Sequence, residues 1–82
     1  MEIESKIRDF IAKQIMFTDK FELAEDKSLL GEGIIDSMGV MDLVSFVGTE
    51  FGLSVNPDEI IPENFDSVAN LAEFIRRKRT LA

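Results

Sequence analysis

The sequence predicts an all-α fold: a four-helix bundle with one short helix and a long loop between helices one and two. Three observations carry that reading. Apolar residues recur at three- and four-residue spacing in separate stretches, no run alternates apolar and polar residues long enough for a strand, and Gly and Pro stand where such helices would stop or start. Leu53-Ser54-Val55 is too short to be more than a linker. A chain of 82 residues with 45% apolar content fits one small domain over 1–82, with a core large enough for only marginal stability.

Helix one runs from Glu2 to about Met16. Ile3, Ile7, Phe10, Ile11 and Ile15 fall on one side, and Glu4, Arg8, Asp9 and Lys13 on the other. Glu2 and Glu4 in the first turn suit the positive end of the helix dipole. From Phe17 to Ile35 the period lapses. This stretch holds Leu23, Leu29, Leu30, Ile34 and Ile35, too many large apolar groups for a solvated linker, so a packed loop is expected. A connection of that length is functional or carries a turn of its own, and Gly31 and Gly33 supply the backbone freedom it needs.

Helix two spans about Ser37 to Phe51. Val40, Leu43, Val44, Val47 and Phe51 make its inner face, and Gly52 stands at its stop. Gly39 and Gly48 lie inside it at a cost of about 1 kcal/mol each relative to alanine. Close packing against another helix explains such a cost; near Gly39, room for a bound group is the alternative. A short third element starts at Asn56-Pro57-Asp58-Glu59, with Asn56 as cap, Pro57 at the first helical position and Glu59 completing a capping box; Pro62 limits its length. The last helix begins at Asp66 or Ser67 and buries Val68, Leu71, Ala72 and Ile75. It ends in Arg76, Arg77, Lys78 and Arg79, which are expected to form a solvated, dipole-compensating terminus.

Composition excludes much. With no Cys and no His, the chain lacks a disulfide framework, a thiolate metal cluster, and the commonest metal ligand and general base. No metal and no catalytic residue are expected. Sixteen acidic against nine basic residues give a net charge of -7, which disfavours nucleic acid and anionic membrane and favours partners with a basic patch. Apolar runs are too short for a membrane span or a signal peptide, so a cytoplasmic location is expected.

The string Gly33-Ile34-Ile35-Asp36-Ser37-Met38 is the most specific feature. A serine hydroxyl attacks nothing at neutral pH without a base, and this chain has no His to serve as one. Ser37 nevertheless stands at a helix start, where unpaired N–H groups and the dipole favour a phosphate.

That string, with the amphipathic helix Gly39 to Phe51 and then Gly52-Leu53, resembles the phosphopantetheine attachment region of acyl and peptidyl carrier proteins. The usual core is Asp-Ser-Leu; Met38 replaces the leucine, a near-isosteric exchange. The long first loop and Glu63-Asn64-Phe65-Asp66-Ser67-Val68 extend the resemblance over nearly the whole chain. It implies that a phosphopantetheinyl transferase moves 4'-phosphopantetheine from coenzyme A onto Ser37. The arm's thiol would then hold acyl or aminoacyl groups as thioesters for a fatty-acid, polyketide, nonribosomal-peptide or other specialised pathway. Acyl-activating, ketosynthase or acyltransferase-type enzymes with basic docking patches are the implied partners, and a monomer is expected. Asp36 has two compatible roles: a helix cap on general grounds, and, by the resemblance, help in binding metal and pyrophosphate at the transferase site.

Met38 and Met41 fall outside the Val40, Leu43, Val47 stripe and beside Asp42. They could complete the core of a small bundle. The preferred reading is a docking face, in which pliable methionines accommodate several enzymes and Asp42 meets a basic residue. Fatty-acid members are usually more acidic along this helix; Gly48 and Thr49 occupy positions often acidic there, which favours a specialised pathway or an aminoacyl substrate. The competing hypothesis is an unmodified helical adaptor or regulatory domain that kept the fold, against which the intact Asp-Ser pair argues. A calcium-binding helix-loop-helix reading fails because no acidic loop of the required pattern aligns anywhere.

Overall fold

A computed structural model describes residues 2–18 and 24–81; Leu23 of the first loop lies outside the described residues. The elements, in order, are α1 (Glu2–Phe10) continued by a π-helical turn (Ile11–Ile15), α2 (Ser37–Phe51), a 3₁₀ turn (Pro57–Glu59), α3 (Pro62–Phe65) and α4 (Val68–Leu81). No strand occurs among the described residues. The fold is the all-helical bundle with a long first loop that the periodicity predicts.

The first helix has the expected length but not a uniform winding. Its last turn is π-helical, with the Met16 N–H donating to the Ile11 carbonyl at 2.9 Å. The Thr18 N–H then reaches the Ala12 carbonyl at 2.8 Å. The widened turn keeps Ile11 and Ala12 buried while Phe17 beyond it is 84% exposed, with its backbone at φ 55. For a bulky side chain that left-handed angle is unusual, and such outliers gather at functional sites.

The first loop is packed where its largest apolar groups turn inward. Leu29 is fully buried and Ile35 nearly so, whereas Leu30, expected to pack with them, is 39% exposed. Asp66, at the α3–α4 junction, anchors the loop. Its carboxylate accepts the Ser28 hydroxyl at 2.6 Å and the Leu30 N–H at 2.9 Å, while its main-chain carbonyl accepts the Leu29 N–H. Of the two loop glycines only Gly33, at φ 74, uses the left-handed region; Gly31 is instead held by its N–H to the Ser28 hydroxyl.

The predicted inner face of α2 is the observed one. Leu43 and Val47 are fully buried, Val40, Val44 and Phe51 pack against the core, and Gly52 ends the helix at φ 66. The predicted single short element is two. Asn56 to Glu59 forms a 3₁₀ turn in which the Asn56 N–H donates to Glu59 Oε1 at 2.9 Å. Pro62 opens α3 rather than closing what precedes it, because its fixed φ suits a first helical position and its missing N–H costs nothing there.

Ser67 starts α4 by accepting the Asn70 N–H at 3.0 Å. Val68, Leu71, Ala72 and Ile75 are buried as predicted, joined by Phe74, whose ring lies 5.4 Å from that of Phe65. The cationic terminus departs from expectation, since it is tied down rather than merely solvated. Arg76 pairs with Glu4 of α1 at 2.7 Å, Lys78 with Glu59 at 2.7 Å, and Arg77 donates to Asn64 Oδ1 at 3.1 Å. The cations thus join the α4 end to α1 and to the short elements.

Candidate functional site

Ser37 is the first residue of α2, and the residue before it sets where that helix begins. Asp36 is extended, at φ -119 and ψ -167, and its Oδ1 accepts the Gly39 N–H at 2.9 Å while its carbonyl accepts the Val40 N–H at 3.0 Å. The capping role is therefore present in the fold: it satisfies one of the N–H groups a helix start leaves open. Upstream, the Ile34 and Ile35 N–H groups both donate to the Leu29 carbonyl, and Ile35 is buried. The motif thus reaches the helix from an anchored loop.

Gly39 is buried, and a Cβ there would lie 2.9 Å from the Ile35 Cβ. Its partner is the loop residue that leads into α2, not another helix, so close backbone approach explains this glycine. Gly48 meets no comparable obstacle; the nearest atom to a Cβ would be the Leu53 carbonyl oxygen at 3.4 Å.

The residues on either side of Ser37 are open to solvent. Asp36 is exposed and Met38 is 77% exposed; Met41 is 53% exposed, and Asp42 lies on the surface beside it. The two methionines do not complete the core. At 100° per residue, Met38 and Asp42 lie on the outer strip of α2, while Met41 sits on the flank away from Phe46 and Glu50. Met38, Asp36 and Asp42 border one groove that Ile15 and Phe17 close from the α1 side. Met41 belongs to the neighbouring surface. Phe17 is the groove residue that sequence reading missed: nothing in the local sequence marks a left-handed, exposed phenylalanine just beyond a π turn.

A helix start whose preceding residue caps it, held by an anchored loop and flanked by exposed side chains, suits a group that another enzyme must reach. The comparisons with known proteins give that group its chemistry. Residues 5–75 match the family described as the phosphopantetheine attachment site. This chain belongs to the phosphopantetheine-binding carrier protein family. It is 33% identical over 75 residues to the "Probable acyl carrier protein PigG" of Serratia sp. (strain ATCC 39006), covering 92% of this chain and 86% of that one. A chain in a solved structure titled "Crystal structure of FAD-dependent dehydrogenase" is 30% identical, with a TM-score of 0.73, covering 84% of this chain and 97% of that one.

The carrier protein is therefore not an enzyme: its cofactor is covalent 4'-phosphopantetheine, which holds intermediates for others to transform. Carrier proteins engage a phosphopantetheinyl transferase and biosynthetic enzymes. Among the described residues, no helix of the carrier is long and apolar enough to cross a membrane.

Proposed function

We propose that Ser37 is the attachment residue and that the chain is a discrete carrier presenting acyl or aminoacyl thioesters to enzymes of a specialised pathway. The observation that carries the residue assignment is the helix start itself. Ser37 is the first residue of α2, follows a capping Asp36, and lies within the family match, with exposed neighbours on both sides. A phosphodiester at that position gains from the helix dipole. The arm supplies the thiol that a chain with no Cys lacks. The chain's own part is to hold Ser37 at an accessible helix start; with no His in the sequence, the transferase must activate the hydroxyl.

The unmodified adaptor reading is disfavoured by the intact Asp36-Ser37 pair at the start of α2. For the partners, the face from Met38 to Thr49 carries a single acidic residue, Asp42, which supports a specialised pathway over fatty-acid synthesis. The matched chain in the dehydrogenase structure is itself short: 84% of 82 residues spans 97% of it, about 70 residues in all, the size of one small helical domain. That length supports an FAD-dependent dehydrogenase as one partner class. A thioester suits such chemistry because its carbonyl acidifies the adjacent C–H, which a base removes as a proton while the flavin accepts hydride from the next carbon.

Peptide mapping tests the residue assignment. After incubation with coenzyme A and a broad-specificity transferase, the added mass should lie on the peptide containing Ser37 and be absent from Ser37→Ala. Modification of any other serine would move the site.

A further inference from the structure

Resting on the attachment of the arm to Ser37, we infer that Asp66 is a positioning residue for that attachment: from the α3–α4 junction it fixes the loop that sets the first turn of α2. The sequence offers two capping residues in succession there, and Ser67 takes the cap by accepting the Asn70 N–H at 3.0 Å. The Asp66 carboxylate is thereby left for the loop, and both its oxygens are used. Oδ2 accepts the Ser28 hydroxyl at 2.6 Å and Oδ1 the Leu30 N–H at 2.9 Å, across 38 and 36 residues of chain. The first distance is that of a charge-assisted O–H bond, stronger than a neutral one. The Asp66 carbonyl accepts the Leu29 N–H as well, and the Ala69 N–H donates to the Glu25 carbonyl at 2.8 Å, so the loop is strapped along the start of α4. Asp66 is itself held on both sides: its N–H donates to the Pro62 carbonyl at 2.9 Å, and the preceding Phe65 is buried with its ring 5.4 Å from that of Phe74.

The strapped segment passes its position on to α2. The Leu29 carbonyl accepts the Ile34 N–H at 2.9 Å and the Ile35 N–H at 3.3 Å, and Leu29 and Ile35 are both buried. Ile35 then abuts the first turn of α2 so closely that a Cβ at Gly39 would stand 2.9 Å from its own. Asp36, the next residue, caps that turn through the Gly39 N–H. Among the described residues of α2, the first fully buried side chain is Leu43, so the turn that carries Ser37 takes its position from the loop before it rather than from a core side chain of its own. In attachment, the Ser37 oxygen forms a bond to the phosphorus that bears pantetheine, the bond from that phosphorus to the adenosine bisphosphate of coenzyme A breaks, and the serine proton passes to a base of the transferase. Such an in-line exchange depends steeply on where the attacking oxygen stands. Loss of the Asp66 carboxylate loosens Ser28 and Leu30 first, then the Leu29 carbonyl, then the start of α2.

The test follows attachment to the whole apo chain by intact mass, with coenzyme A, a broad-specificity phosphopantetheinyl transferase and a series of carrier concentrations, at a temperature where every variant is folded. Asp66→Ala should lower kcat about tenfold with little change in KM. Ser28→Ala, which removes one tie, should fall between it and the parent. Asp66→Asn keeps an acceptor for the Leu30 N–H and gains an N–H that can donate to the Ser28 hydroxyl, so it should restore most of the rate. Glu4→Gln breaks the ion pair with Arg76, away from this path, and should keep the parent kcat even where it melts earlier. Amide hydrogen exchange on the same proteins reads the path directly: Asp66→Ala should speed exchange at Ile34, Ile35 and Gly39 as well as at Leu30. A parent that is modified while Asp66→Ala keeps its kcat, faster exchange confined to Ser28 to Gly31, or a kcat that falls as far in Glu4→Gln, would overturn the positioning role and leave the attachment intact. A parent that gains no mass would overturn both.

Discussion

Asp36 Oδ1 accepts the Gly39 N–H at 2.9 Å, so the residue before the motif serine is committed to holding the first turn of α2 in place. The arrangement makes the cap and any role toward the transferase separable. Asp36→Asn keeps an acceptor at the cap, whereas Asp36→Ala removes it and should cost about 1 kcal/mol. Thermal melting should show Asn close to the parent and Ala destabilised. If the carboxylate charge also serves the transferase, Asn will slow modification at unchanged stability; equal modification rates would leave Asp36 a cap alone.

Gly39 and Gly48 lie in the same helix but respond oppositely to alanine. Replacing glycine inside a helix normally gains about 1 kcal/mol. At Gly48 the new Cβ makes ordinary contact, so Gly48→Ala should raise the melting temperature. At Gly39 it would stand 2.9 Å from the Ile35 Cβ, so the loop must shift and Gly39→Ala should destabilise despite its better propensity. Stabilisation at both positions would show that the loop entering α2 yields easily.

Two ion pairs set the acid response. A hydrogen bond from Arg76 holds the Glu4 carboxyl below the ordinary value of 4.5, and one from Lys78 does the same for Glu59. A carboxyl with a depressed folded pKa contributes stability that is present above its unfolded value and lost as pH falls through the folded one. Melting temperature should therefore fall as pH drops below the ordinary value of 4.5, and fall less in Glu4→Gln and Glu59→Gln. The pairs are partly solvated, so the effect should be modest and shrink with salt. Identical pH profiles in parent and variants would remove these pairs from the acid response.

Met41 and Asp42 test the docking face. Both are exposed, so Met41→Glu and Asp42→Lys should leave helicity and melting nearly unchanged while slowing transfer by partner enzymes, Asp42→Lys the more at low salt. Unchanged partner kinetics in both variants would locate docking elsewhere.

Sequence periodicity was sufficient for the helices because their buried residues repeat. Ile3, Ile7 and Ile11, then Leu43 and Val47, then Leu71 and Ile75 follow the helical spacing and form the observed core. The two ends of α2 were legible because Asp36 and Gly52 bracket the helix with capping chemistry. What periodicity could not convey were features set by tertiary contact. The π turn at Ile11 to Ile15 has an ordinary helical composition, and nothing local marks the left-handed Phe17 two residues beyond it. Asp66 reads as a possible helix start, yet its carboxylate binds Ser28 and Leu30, partners 38 and 36 residues away. Arg76 and Lys78 read as a solvated terminus because nothing local identifies Glu4 and Glu59 as their partners.

The central claim is that this chain acts as a carrier through a phosphopantetheine arm on Ser37. Intact-mass measurement after incubation with coenzyme A and a broad-specificity phosphopantetheinyl transferase tests it most directly. The parent should gain the mass of one phosphopantetheine group and Ser37→Ala none, with both proteins folded alike; a parent that stays at its unmodified mass, or a Ser37→Ala variant that gains the group, would contradict the account.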